Sequence, residues 1–155
     1  MPPPVTGVDF VAYDRRGQPV LLALASGSRD TSELWAAEYR RNLLSHDTLP
    51  QVPFFLIAAR DHMYFWRQGA SIPDDAPPQF VLDGNAALKP YFEEFNLSPE
   101  KISGEGLWWI ILSWLEDVAD SRKQRSGADP SLAWLADSGF LEALGNAHIE
   151  SSAMQ

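Results

Sequence analysis

Val8-Asp9-Phe10-Val11-Ala12-Tyr13-Asp14-Arg15-Arg16-Gly17-Gln18-Pro19-Val20-Leu21-Leu22-Ala23-Leu24-Ala25 is the stretch that decides how this chain folds. Residues 7–13 alternate in polarity and carry β-branched and aromatic side chains, which predicts a strand. Asp14-Arg15-Arg16-Gly17 reads as a hairpin loop, with Gly17 free to take a positive φ. The apolar run from Val20 to Ala25 then suits a strand buried on both faces, at the centre of a sheet. One carboxylate, Asp9, stands among apolar residues on the first strand. The second strand carries no acid or lysine to stand beside it.

Working outward, Ser26 to Asp30 reads as a loop. A helix is expected from Thr31 or Ser32 to Ser45, with hydroxyl residues as its cap and Glu33 in its first turn. Trp35, Tyr39 and Leu43, spaced four apart, predict its inward stripe, and Glu38, Arg40 and Arg41 fall towards its other faces. Val52 to Ala59 reads as a second buried strand. Arg60-Asp61 reads as a short turn, and His62 to Arg67 as an alternating strand. Gln68 to Gln79 is rich in proline and predicts a loop, and Phe80-Val81-Leu82 predicts a brief edge strand. Ala86 to Phe95 suggests a short helix with Pro90 inside it. Glu105 to Arg122 gives the clearest helical pattern, with Leu107, Ile111, Trp114 and Val118 on one stripe. A polar linker spans residues 123–130. A last helix is expected over about 131–144, interrupted near Ser138-Gly139. One domain over residues 1–145 is expected, with residues 146–155 as a disordered tail.

The composition supports a folded core and narrows the partners. The chain has 155 residues, 45% of them hydrophobic, with six Trp and eight Phe. A chain of this length buries roughly two-thirds of its unfolded surface. It has no cysteine, which removes disulfides and thiolate metal sites. No segment approaches the roughly 20 apolar residues that span a bilayer, and Met1-Pro2-Pro3-Pro4 lacks the features of a signal peptide. The cytoplasm is the expected compartment, with no membrane partner. The net charge is −9, and it is uneven: residues 1–70 hold seven Lys/Arg against seven Asp/Glu, whereas residues 71–155 hold five against fourteen. An acidic chain is a poor general binder of nucleic acid. The neutral half still offers Arg15, Arg16, Arg40 and Arg41 as candidates for DNA contact.

The order strand, strand, helix, strand, strand, with Asp9 on the first strand, resembles the PD-(D/E)XK nuclease superfamily. The resemblance is closer to small uncharacterised bacterial proteins of that fold. Their pattern runs Pro-Asp-Phe-Val-Ala-Tyr-Asp, then a Val-Glu-Val-Lys strand, then Thr-Ser, Trp and Arg-Arg-Asn-Leu-Leu. The matching residues here are Asp9 to Asp14, Thr31-Ser32, Trp35 and Arg40-Arg41-Asn42-Leu43-Leu44. The resemblance covers about the first 70 residues and implies an α/β fold. That fold is a central mixed β-sheet of about four to five strands flanked by helices, a restriction-endonuclease-like core followed by C-terminal helices. It also implies a metal site built from the aspartate and an acid–X–lysine triplet, at which metal ions stabilise charge on a phosphate.

Aligned on Thr31-Ser32, Leu24 stands at the acid position and Ser26 at the lysine position. Asp9 is then either a hydrogen-bonded structural residue or a remnant metal ligand, since a hard cation wants several oxygen ligands. An acid that has migrated to the helix would restore a site: Glu38 is the candidate, with Glu33 behind it and Arg29 in place of the lysine. His46, His62 and His148 have no zinc-type spacing. The leading expectation is a catalytically inactive nuclease-fold protein without a cofactor, acting as an interaction or scaffold module. It would self-associate as a homodimer, or bind another protein, through the Trp108–Val118 helix, where large apolar residues almost surround the axis. The alternatives are a Mg²⁺- or Mn²⁺-dependent nuclease using Asp9 with Glu38, and a DNA-binding remnant that does not cleave.

Overall fold

The apolar run becomes the middle of a sheet. Pro19–Ala25 forms β2, with Val20 to Leu24 all buried. It pairs antiparallel with β1 (Phe10–Tyr13) across the Asp14–Gly17 turn. Asp14 holds that turn by accepting the Arg16 and Gln18 backbone N–H groups at 2.9 Å each, and Gly17 takes φ 78°. A computed structural model gives these positions, and it describes residues 8–46, 49–67, 72–120 and 133–151. The expected linker at 123–130 lies outside the described residues.

After β2 the chain crosses over through α1 (Glu33–His46) to β3 (Phe54–Ala58), which runs parallel to β2. A parallel pair needs such a crossover, because its strands start at the same edge. β4 (His62–Arg67) returns antiparallel to β3, and β5 (Phe80–Asp83) antiparallel to β4. The helices α2 (Gly84–Glu94), α3 (Gly104–Ala119), α4 (Ala133–Asp137) and α5 (Phe140–Leu144) follow. β6 (His148–Ser151) then adds antiparallel to β1. The order across the sheet is β5-β4-β3-β2-β1-β6, a mixed sheet in an α/β fold.

Alternation of side chains gives the sheet two apolar faces. Phe10, Leu21, Ala23, Phe54, Leu56 and Phe65 meet Leu88 and Phe92 of α2, Ile111 and Trp114 of α3, Leu135 of α4 and Phe140 of α5. Val11, Leu22, Leu24, Phe55, Ile57 and Trp66 meet Ala36 of α1. The domain is thus three layers deep, with one helix on one face and four on the other among the described residues.

Three expectations change. The described sheet has six strands instead of four to five, because residues 148–151 of the expected disordered tail pair with β1. The interruption at Ser138-Gly139 divides the last helix into α4 and α5, with Gly139 at φ 88°. Most important, α1 is rotated from the expected orientation. Ala36 and Arg40 point at the sheet and are buried, whereas Trp35, Tyr39 and Leu43 are half-buried along the flank. The small Ala36 lets the helix backbone approach the sheet, and the large rings spread sideways. Trp35 packs on Tyr39 and Tyr64 at ring separations of 5.4 and 6.1 Å.

Candidate functional site

The carboxyl ends of β2 and β3 lie side by side, with Ala25 paired to Ala58. Because β1 and β4 run the other way, Asp9 and His62 sit at this same edge. So do the start of α1 and, through the pairing of His62 with Asp83, the start of α2. The start of α3 is close too: a Cβ added to Gly27 would stand 3.5 Å from the Gly104 Cα. Edges of this kind, where parallel strands end, are where open α/β sheets bind ligands. Each helix start already has a side-chain cap. Ser32 accepts the Trp35 N–H at 3.1 Å, Asp83 those of Asn85 and Ala86, and Ser103 that of Gly106 at 2.9 Å.

Asp9 is fixed by β2. Its N–H donates to the Ala23 carbonyl at 3.0 Å, and its Oδ2 accepts the Ala25 N–H at 2.8 Å. Burial raises its pKa, an effect that the Ala25 N–H opposes. Leu24, at the acid position of the resembled family, is buried against the α1 layer. Ser26, at the lysine position, donates its backbone N–H to the Ala58 carbonyl and its hydroxyl to Ser28 Oγ at 3.1 Å. Glu38 is exposed on α1. At its neighbour Tyr39, burial and then the Asp9 charge raise the phenol pKa. One part-buried carboxylate beside a leucine and a serine is a poor ligand set for a hard divalent cation. Among the described residues, no three His, Cys, Asp or Glu side chains stand together as a metal-binding group.

The arginines part company. Arg15 and Arg16 are exposed at the tip of the β1–β2 turn, and Arg41 is exposed on α1. Arg40, expected on the surface as a DNA contact, is instead 2% exposed. Its guanidinium donates to the Pro73 and Asp74 carbonyls at 3.1 and 2.9 Å and lies over the Phe55 and Trp66 rings at 5.8 and 5.6 Å. It is the one charged residue buried among those described. Its charge serves the 73–76 turn, which Trp66 also holds through its indole N–H to the Ala76 carbonyl at 2.9 Å.

The edge also carries a polar cluster that sequence reading missed. Asp61, expected only as a turn residue, accepts the Thr31 N–H at 3.0 Å and the Thr31 hydroxyl at 2.7 Å, and lies 3.2 Å from His62 Nδ1. With its proton given to Asp61, Thr31 Oγ1 accepts from the Tyr64 hydroxyl at 2.7 Å. Burial acts to raise the Asp61 pKa, but the Thr31 and His62 hydrogen bonds outweigh it and hold the carboxyl below its ordinary value. The Tyr64 pKa is raised by burial first and by the Asp61 and Glu33 charges, against the Thr31 bond. Nothing local in the sequence announces this cluster, since Thr31 and Asp61 are 30 residues apart. Arg29 donates to the Glu100 carbonyl, tying the loop after β2 to the segment before α3.

The chain matches no protein-family model, no curated protein and no solved structure. The geometry of this edge therefore carries the functional argument alone. No helix among the described residues is long and apolar enough to cross a membrane. On α3, the expected contact surface, Trp108 and Trp114 are turned into the domain, and Trp109 stands 52% exposed with its ring 4.9 Å from that of Trp108.

Proposed function

We propose that this protein is a catalytically silent interaction or scaffold module on a restriction-endonuclease-like core, and that it self-associates through the Trp109 side of α3. The observation that carries the reading is the state of Asp9. Its Oδ2 is bound to the Ala25 N–H, burial favours its protonated form, and Leu24 and Ser26 flank it where an acid and a lysine would be needed. A hard divalent cation needs several oxygen ligands, and the leucine and serine at the acid and lysine positions do not supply them. The exposed Trp109 supports a contact with a second chain, because aromatic residues are enriched in such interfaces. The cytoplasm is its proposed compartment.

Calorimetric titration of Mn²⁺, with Asp9→Ala as control, tests the first half. Heat that is the same in both proteins is the expected result. Saturable binding lost in the variant would restore the nuclease reading and make Glu38→Ala the next variant. Mass measured by light scattering against concentration tests the second half. A mass that rises in the native protein and stays monomeric in Trp109→Ser is expected, and an unchanged monomer in both rejects self-association.

A further inference from the structure

The start of α3, the loop after β2 and the β3–β4 turn meet at one point. A Cβ added to Gly27 would stand 3.5 Å from the Gly104 Cα, 3.8 Å from the Gly104 N and 3.9 Å from Arg60 Nε. Gly27 and Gly104 are both exposed, so this point opens to solvent. Three buried side-chain nitrogens among the described residues make no hydrogen bond: Arg60 Nε, His62 Nδ1 and Trp108 Nε1. His62 Nδ1 has the Asp61 carboxylate 3.2 Å away. The other two belong to the start of α3. Arg60 does so through its approach to Gly104, and Trp108 is the residue one turn further along the helix.

We propose that this point binds a phosphate group, held by the Arg60 guanidinium and by the Gly104 and Glu105 backbone N–H groups. The site uses none of Asp9, Leu24 and Ser26, and it goes beyond the interaction-module reading without depending on it. Folded proteins rarely leave a buried donor without an acceptor, and a bound ion is one of the few reasons for doing so. Arg60 is such a case: its backbone N–H donates to the Ser28 carbonyl at 3.3 Å, but its side chain makes no hydrogen bond or ion pair among the described residues. The helix supplies the second set of donors. Ser103 takes the Gly106 N–H on its hydroxyl and the Leu107 N–H on its carbonyl, which leaves those of Gly104 and Glu105 with no acceptor among the described residues. They stand at the positive end of a 16-residue helix. Glycine at both 27 and 104 keeps side chains out of the way, as a close approach of backbone to ligand requires. Donors from a strand turn and from a helix start reach the point from different elements, which suits a tetrahedral anion better than a planar carboxylate. Arg29, bonded to the Glu100 carbonyl, adds positive charge nearby, and Glu105 in the first turn of α3 opposes it.

The test titrates inorganic phosphate into the isotope-labelled full chain at constant ionic strength, followed by NMR. Saturable shifts are expected at the Gly104 and Glu105 amides and at the Arg60 Nε–H, with acetate binding at least about tenfold more weakly. Arg60→Gln should weaken phosphate by at least about tenfold, while thermal unfolding shows the variant still folded. Two further variants keep the arginine. Gly104→Pro removes one donor at a helix position that favours proline, and Gly27→Ala places a methyl group at the meeting point in ordinary contact. Both should weaken binding, and Glu105→Gln should tighten it. O-phosphoserine and adenosine monophosphate carry the same group; whichever binds more tightly than inorganic phosphate names its source, and if neither does, the free ion is the ligand. Shifts that never saturate, equal affinity for acetate, or undiminished binding in Arg60→Gln, Gly104→Pro and Gly27→Ala overturns the proposal. Because Trp109→Ser leaves this site intact, phosphate binding and self-association fail independently.

Discussion

Arg40→Met should destabilise the protein by about 2–4 kcal/mol. The guanidinium makes two hydrogen bonds to carbonyls, at 3.1 and 2.9 Å, each charge-assisted and worth about 1.5–3 kcal/mol. Its position over Phe55 and Trp66 adds about 1 kcal/mol. Two effects act against this sum. Burying the charge is itself costly, as its lowered pKa indicates, though the Asp74 charge partly compensates. Pro73 and Asp74 are exposed, so water can reach their carbonyls once the arginine is gone. Methionine keeps most of the side-chain length, which confines the loss to the polar and aromatic contacts. Urea unfolding followed by circular dichroism should show a midpoint lower by roughly 1–2 M, given slopes of about 1–3 kcal/mol per molar for small proteins. The Trp66 indole N–H, bonded to the Ala76 carbonyl, should also exchange faster with solvent in the folded variant. Arg40→Lys keeps the charge without the planar fork and should fall between the two. A methionine variant as stable as the native protein, with Trp66 still protected, would refute the argument: the arginine would then be tolerated and the 73–76 turn held by other means.

At Asp9 the folded state binds its proton more tightly than the unfolded chain does, so stability falls as pH rises above the ordinary carboxylate value of 3.8. Asp9→Asn should therefore melt higher than the native protein at pH 7, with the difference vanishing in acid; a lower melting temperature at pH 7 would show that the charge is stabilising. Asp61 behaves in the opposite sense, because its lowered pKa gives stability that is present above 3.8 and lost as pH falls through the folded value. Asp61→Ala leaves the Thr31 N–H and hydroxyl without this acceptor and should cost about 1–3 kcal/mol at pH 7, with the gap between the two melting temperatures narrowing as pH falls below 3.8. Gly84→Ala puts a Cβ 3.3 Å from the Arg60 and Asp61 carbonyl oxygens, and the crowding should cost about 1–3 kcal/mol against a helix-propensity gain of about 1. A melting temperature that rises in this variant would show that the turn yields freely.

The parts of the fold that were legible in sequence are those whose signal is local. The apolar run of β2 announced its burial on both faces, the alternation of His62 to Arg67 set the bounds of β4, and Gly139 marked the break between α4 and α5. β6 was not legible, because His148-Ile149-Glu150-Ser151 carries one apolar residue and is held by its neighbour β1. Periodicity favoured the bulky stripe of α1, but proximity to the sheet selected Ala36, and Arg40 followed it inward because a long stem can carry its charge to distant carbonyls. At the candidate site, Asp9 was legible as a lone acid among apolar residues. The Thr31–Asp61–Tyr64 chain was not, since its members meet only after β2, α1 and β3 have assembled.

The parallel join between β2 and β3 also sets the order in which the molecule assembles. β1–β2 and β3–β4 are antiparallel pairs closed by short turns, and such hairpins form in about 1–10 μs. Neither contains the contact that makes the sheet one object. That contact waits for α1 to fold and carry β3 alongside β2, a closure over a much longer loop. This topology predicts a rate-limiting ensemble with two preformed hairpins and a docking helix, and with β5 and β6 still outside it. Changes at Ala36 or Leu22 will slow refolding, and changes on β6 will act on the rate of unfolding.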